Sequence, residues 1–145
     1  MKKIIYFAIF VLGVNLMIGA AQEGKNIEPV QTWSGKEIDN KVLKVPPKNG
    51  LSMGLISNET DWIKLWQAWR TDETPKIDFT KNLIVFCTTQ TPNICHIYLK
   101  LSKSGDLKIS PLSTLLGSKD KTFNYRIVLI DRAGIKSIER KPIIP

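Results

Sequence analysis

Four large apolar residues, Trp62, Leu65, Trp66 and Trp69, recur at i, i+3, i+4 and i+7, and this spacing constrains the chain more than any other feature. On a helix the four side chains fall on one face, a stripe that has to be buried against another surface. Ser57, Asn58 and Thr60 each offer a side-chain oxygen to the free amides of a helix start, and Glu59 and Asp61 stand where the helix dipole favours negative charge. Pro75 sets the latest point at which such a helix can end. Core packing explains the tryptophans better than a sugar-stacking or peptide-anchoring surface, because a small domain needs large side chains to fill its core. The triplet Asn58-Glu59-Thr60 also fits a glycosylation acceptor, and helix capping accounts for the same residues.

Around this helix lie short β-like runs divided by turn chemistry. Val30–Trp33 and Lys41–Val45 are read as two strands, separated by Ser34-Gly35 and Asp39-Asn40, and Pro46 to Gly50 is a strong turn cluster. Asn82–Thr89 is β-branched and aromatic, and from Ile94 to Leu101 apolar and polar residues alternate. A hairpin through Gln90-Thr91-Pro92-Asn93 is expected to join these two runs. It would set Cys87 opposite Cys95, the pair expected to form a disulfide in an oxidising compartment. After Ser104-Gly105-Asp106 comes Leu107–Ile109, and Phe123–Ile130 is expected to pair with Ile135–Ile138 through a turn at Asp131 to Gly134. The fold class that follows is α+β, a mostly antiparallel sheet with one amphipathic, tryptophan-rich helix packed across it.

The chain begins with Lys2 and Lys3, continues through an apolar stretch from Ile4 to Ile18 and ends that stretch in Gly19, Ala20 and Ala21. Basic, apolar and small residues in that order predict a cleavable signal peptide over residues 1–21. The apolar stretch is shorter than the roughly 20 residues of a membrane-spanning helix, so no span is expected after cleavage. A flexible leader is expected over 22–28 and one domain over 29–145. The whole chain carries 21 basic and 13 acidic residues. Its charges are interspersed, the pattern of a solvated surface, and no nucleic-acid partner is expected.

His96 is the one histidine in 145 residues, so a histidine-based catalytic pair has to use it. Cys95 precedes it directly, and neighbouring strand residues point to opposite faces, which separates thiol from imidazole. Cys87, Cys95 and His96 fail as a zinc site for the same reason. Asp61, Asp72, Glu73 and Asp78 are accounted for by capping and loop solvation, and there is no GxSxG, HExxH or phosphate-binding glycine loop. No catalytic residue, cofactor or metal is expected.

From Ile56 onward the order of features resembles the family of the protease complex subunit PrcB and its relatives among secreted bacterial proteins of unknown function. The residues that carry the resemblance are the helix Thr60 to Arg70, Pro75-Lys76-Ile77-Asp78-Phe79 leading into Leu83-Ile84-Val85-Phe86, Phe123 to Ile127, and Arg132-Ala133-Gly134-Ile135. The resemblance implies an exported, non-enzymatic domain, periplasmic or extracellular, that accompanies or stabilises a protease complex. Where such domains often carry a glycine-rich turn after the first sheet strand, this chain has Gln90-Thr91-Pro92-Asn93-Ile94-Cys95, with the proline and no glycine. Pro92, Asn93 and Arg132 are the residues expected to face a protein partner, because loops held by a rigid sheet are where small domains present recognition groups. A secreted ligand-binding or protease-inhibitor-like module is the alternative, and a small hydrolase a lesser one.

Overall fold

The computed structural model describes residues 24–39, 51–117 and 121–142. The expected signal segment, the Lys41–Val45 strand and the Pro46 to Gly50 turn lie outside them. The one helix of the described residues, α1, spans Glu59–Trp69. Asn58 caps it, its Oδ1 accepting from the Asp61 amide at 2.9 Å, and Arg70 ends it. Trp62, Leu65, Trp66 and Trp69 are its buried residues, the stripe the spacing predicts.

The strands are β1 (Lys25–Asn26), β2 (Gln31–Ile38), β3 (Leu51–Ile56), β4 (Asn82–Gln90), β5 (Cys95–Leu101), β6 (Asp106–Ser113), β7 (Phe123–Asp131), β8 (Ser137–Ile138) and β9 (Lys141–Pro142). They form two sheets, one ordered β2-β7-β4-β3 and one ordered β1-β5-β6-β8-β9. All pairs are antiparallel except β6 with β8. Helix, four-stranded sheet and five-stranded sheet therefore stack as three layers. The helix stripe packs with Ile84 and Phe86 of β4 and Tyr125, Ile127 and Leu129 of β7. Leu83, Val85, Val128 and Ile130, on the opposite face of the same strands, pack with Leu99, Leu107 and Ile109 of the other sheet. Because β4 and β7 are covered on both faces, their sequences read as nearly continuous apolar runs.

Four expectations are corrected. β4 and β5 are not a hairpin, since β4 pairs with β3 and β7 while β5 pairs with β1 and β6. Gln90 to Asn93 is instead the corner where the chain leaves one sheet for the other. The segment after β7 does not fold back on it: Gly134, at φ +79°, turns the chain across to β8, which pairs with β6. Lys25 and Asn26, expected in a flexible leader, pair with Leu101 and Lys100. Ser34 and Gly35, read as a break, lie inside β2.

β3, like the two-residue β1 and β9, is a strand the sequence reading lacks, because Ser52 and Gly54 interrupt its apolar residues. The structure explains the glycine. A Cβ at Gly54 would stand 2.1 Å from the Phe86 ring, which lies across the strand. Gly54→Ala is expected to cost about 1–3 kcal/mol by forcing that ring from its site against Trp69, a loss read as a lowered urea midpoint. β6 also runs beyond Ile109, through Pro111. The proline is tolerated because β8 pairs only with Asp106 and Leu107, which leaves the rest of β6 an edge.

Candidate functional site

The layer between the two sheets changes character along its length. On β4 and β7 the paired residues facing it run Leu83 with Ile130, Val85 with Val128, Cys87 with Arg126 and Thr89 with Asn124. On β5 and β6 the corresponding series is Leu101 with Leu107, Leu99 with Ile109, Ile97 with Pro111 and Cys95 with Ser113. One end is thus an apolar core and the other a polar one, with Thr89 and Ser113 hydrogen-bonded hydroxyl to hydroxyl across the layer at 2.6 Å.

Asn93 closes the polar end. It is 7% exposed. Its Nδ2 donates to the carbonyls of Gln90 and Leu116, both at 3.0 Å, and its Oδ1 accepts from the Leu116 amide at 2.6 Å and the Thr114 hydroxyl at 3.1 Å. Its own carbonyl accepts from Asn124 Nδ2 at 2.7 Å. The next residue repeats the grip, since Ile94 N donates to Thr114 Oγ1 and Thr114 N to Ile94 O. A buried side chain with its hydrogen-bonding capacity filled is a rigid tie. Here it binds the β4–β5 corner to the segment that follows β6.

That tie holds apolar side chains outward. Leu115 is 92% and Leu116 59% exposed, and Ile94 before β5, Tyr98 on β5 and Leu112 on β6 are exposed as well. Register places His96 beside Leu112, Tyr98 beside Ser110 and Lys100 beside Lys108 on the outer face of the five-stranded sheet. The face therefore grades from aliphatic at the Leu115 end to basic at the lysine pair. Five of the eight exposed large hydrophobic residues among those described fall on this outer face or on the segments that continue its strands, a concentration that a solvated face does not need. A shallow cleft of about 270 Å3 runs under Leu115 and Leu116 to Asn93 and Ser113.

The residues singled out from the sequence fare unequally. Pro92 is exposed at the corner. Asn93, expected to face a partner, is spent inside on the tie just described. Arg132 is half-buried, its backbone amide donating to Lys81 O at 2.8 Å and its guanidinium to Phe79 O at 3.4 Å. It follows the end of β7 that pairs with Asn82, whereas Pro92 follows Gln90. The length of β4 separates them by about 27 Å, so they do not share a surface. Cys95 is buried and His96 exposed, on opposite faces of β5.

The carboxylates serve local structure. Asp61 accepts from Asn58 Nδ2. Asp72 receives two hydrogen bonds from the Arg70 guanidinium, which hold its carboxyl below the usual range. Asp78 receives the Thr80 hydroxyl and amide, which lower it likewise. Among the described residues no group of three or more His, Cys, Asp or Glu side chains could hold a metal ion, and no helix is long and apolar enough to cross a membrane.

The sequence reading did not single out Leu112, Leu115 and Leu116. The available signal was a run from Pro111 to Leu116 holding three leucines with no strand or helix period to bury them. Comparison with known protein families, curated proteins and solved structures finds no match to this chain.

Proposed function

We propose that this chain is an exported, non-enzymatic interaction domain that docks an extracytoplasmic protein, a protease or a member of its complex, through the face formed by Ile94, Tyr98, Leu112, Leu115 and Leu116. The observation that carries the reading is the buried Asn93 tie beneath two exposed leucines. Holding apolar side chains in water is unfavourable, at about 25 cal/mol per Å2, and fixing them there by a filled hydrogen-bond network makes sense for a surface that is covered in a complex. Preorganised apolar anchors also lose little entropy on binding. Lys100 and Lys108 stand at the basic end of the same face, and the whole chain has a formal net charge of +8. A partner with an apolar centre and an acidic rim complements that gradient.

Export rests on the basic, apolar and small-residue order of the N-terminus, and the protease connection on the resemblance over the helix and the following strands. Against catalysis stands the separation of the chain's one histidine from both cysteines.

The test is a crosslinking pull-down from the extracytoplasmic fraction of the native host, comparing wild type with Leu115→Asp/Leu116→Asp. Wild type is expected to enrich a discrete set of proteins that includes a protease or its companion, and the recovered chain to begin at Ala21 or Gln22. The double variant is expected to lose that set by at least about tenfold while its urea melt stays within about 0.5 kcal/mol of wild type. An unchanged captured set removes this face from the reading. Purified protein that turns over a hydrolase substrate in a His96-dependent way overturns the non-enzymatic reading.

A further inference from the structure

Cys87 and Cys95 lie on facing strands of different sheets, both buried, with Cys95 exposed by only 2%. Both are free thiols in the structure. The Cys95 thiol donates to the Cys87 carbonyl oxygen at 3.4 Å, so the two residues meet across the layer. Arg126, the register partner of Cys87 on β7, extends into the same polar end of the layer with its Nε buried and unpartnered.

We propose that Cys87 and Cys95 form a dithiol site that closes to a disulfide joining the two sheets, by exchange with a disulfide-bearing oxidant. One of the two cysteines, as the thiolate, attacks one sulfur of the oxidant's disulfide, making a mixed disulfide and releasing one oxidant thiolate. The other then gives up its proton and attacks the sulfur of the first, releasing the second thiolate. The protein loses two electrons and two protons, and the oxidant gains them as two thiols. The product closes a short ring containing the Gln90 to Asn93 corner, so it staples the element that carries the Asn93 tie.

The experiment uses the wild-type chain and glutathione as the oxidant. Protein is refolded from the reduced, denatured state in a mixture of reduced and oxidised glutathione, then denatured, alkylated and weighed. Refolding from the open chain removes burial as an obstacle to reaction. The expected product lacks both reactive thiols, carries no glutathione and is lighter than the reduced protein by two hydrogens. Alkylation of both cysteines, or glutathione left on either, overturns the proposal.

Discussion

Replacing Trp66 by alanine is expected to remove about 3–5 kcal/mol of stability, as truncating a large buried aromatic does. For a domain of ordinary stability, about 5–15 kcal/mol, that is a third or more of the total. Trp66 is 1% exposed, at the centre of the helix stripe. Its ring meets Trp33 edge-on at 5.4 Å and Trp62 at 4.8 Å, so a cavity there opens between two aromatic rings. The indole also has a polar task. Its Nε1 donates to Asp72 O at 3.1 Å, while Trp62 Nε1 donates to Pro75 O at 2.9 Å, so the stripe pins the chain that leaves the helix as well as packing on the sheet. On the ring's face lies the Arg70 guanidinium, 4.6 Å from its centroid, which also donates to the Tyr125 hydroxyl. Trp66→Phe keeps much of the volume but loses the donor and leaves a carbonyl without its partner, for an expected loss of about 1–2 kcal/mol. Urea melts of the two variants separate packing from hydrogen bonding. A loss under about 1 kcal/mol for the alanine variant would mean that the ring is not part of the core.

Asn93→Ala is expected to cost about 2–4 kcal/mol and to weaken partner capture as well, a combination the Leu115→Asp/Leu116→Asp double variant should not show. The substitution leaves the Leu116 amide and carbonyl, the Thr114 hydroxyl and the Gln90 carbonyl without their side-chain partner. Part of the cost falls on groups that water can reach once the segment loosens, which keeps the total below the sum of four lost bonds. Freed from the tie, Leu115 and Leu116 must be ordered again on binding, and capture should fall severalfold through lost preorganisation. Asn93→Asp preserves the accepting oxygen but not the two donations, so its melt should fall between wild type and alanine. A variant that melts like wild type would show that the tie does not hold the segment.

The expectations that held rest on local pattern. The apolar spacing of the helix, the capping oxygen of Asn58 and the alternation from Cys95 to Leu101 each depend on residues within a few positions of one another. Backbone geometry alone turns such spacing into one buried face. Turn chemistry between Gln90 and Asn93 was equally legible as a change of direction. Its destination was not, since a corner between sheets and a hairpin ask for the same kinds of residue.

The Asn93 reading failed for a related reason. Asparagine in a turn is ordinarily solvated, and its burial depends on Leu116 and Thr114 arriving from more than twenty positions away. Gly54 shows the converse, a residue that weakens a strand in isolation and is required in this one by the Phe86 ring.

By itself, then, the sequence determined a tryptophan-striped helix, most of the long strands and the mostly antiparallel α+β class, because periodicity and capping are short-range properties of the chain. Tertiary structure alone decided that the strands divide into two sheets, that Cys87 and Cys95 meet between those sheets and not within a hairpin, and that Leu115 and Leu116 are held in the open. Strand partners are chosen by long-range burial, and the double-sided cover of β4 and β7 erases the alternation that would have marked their faces.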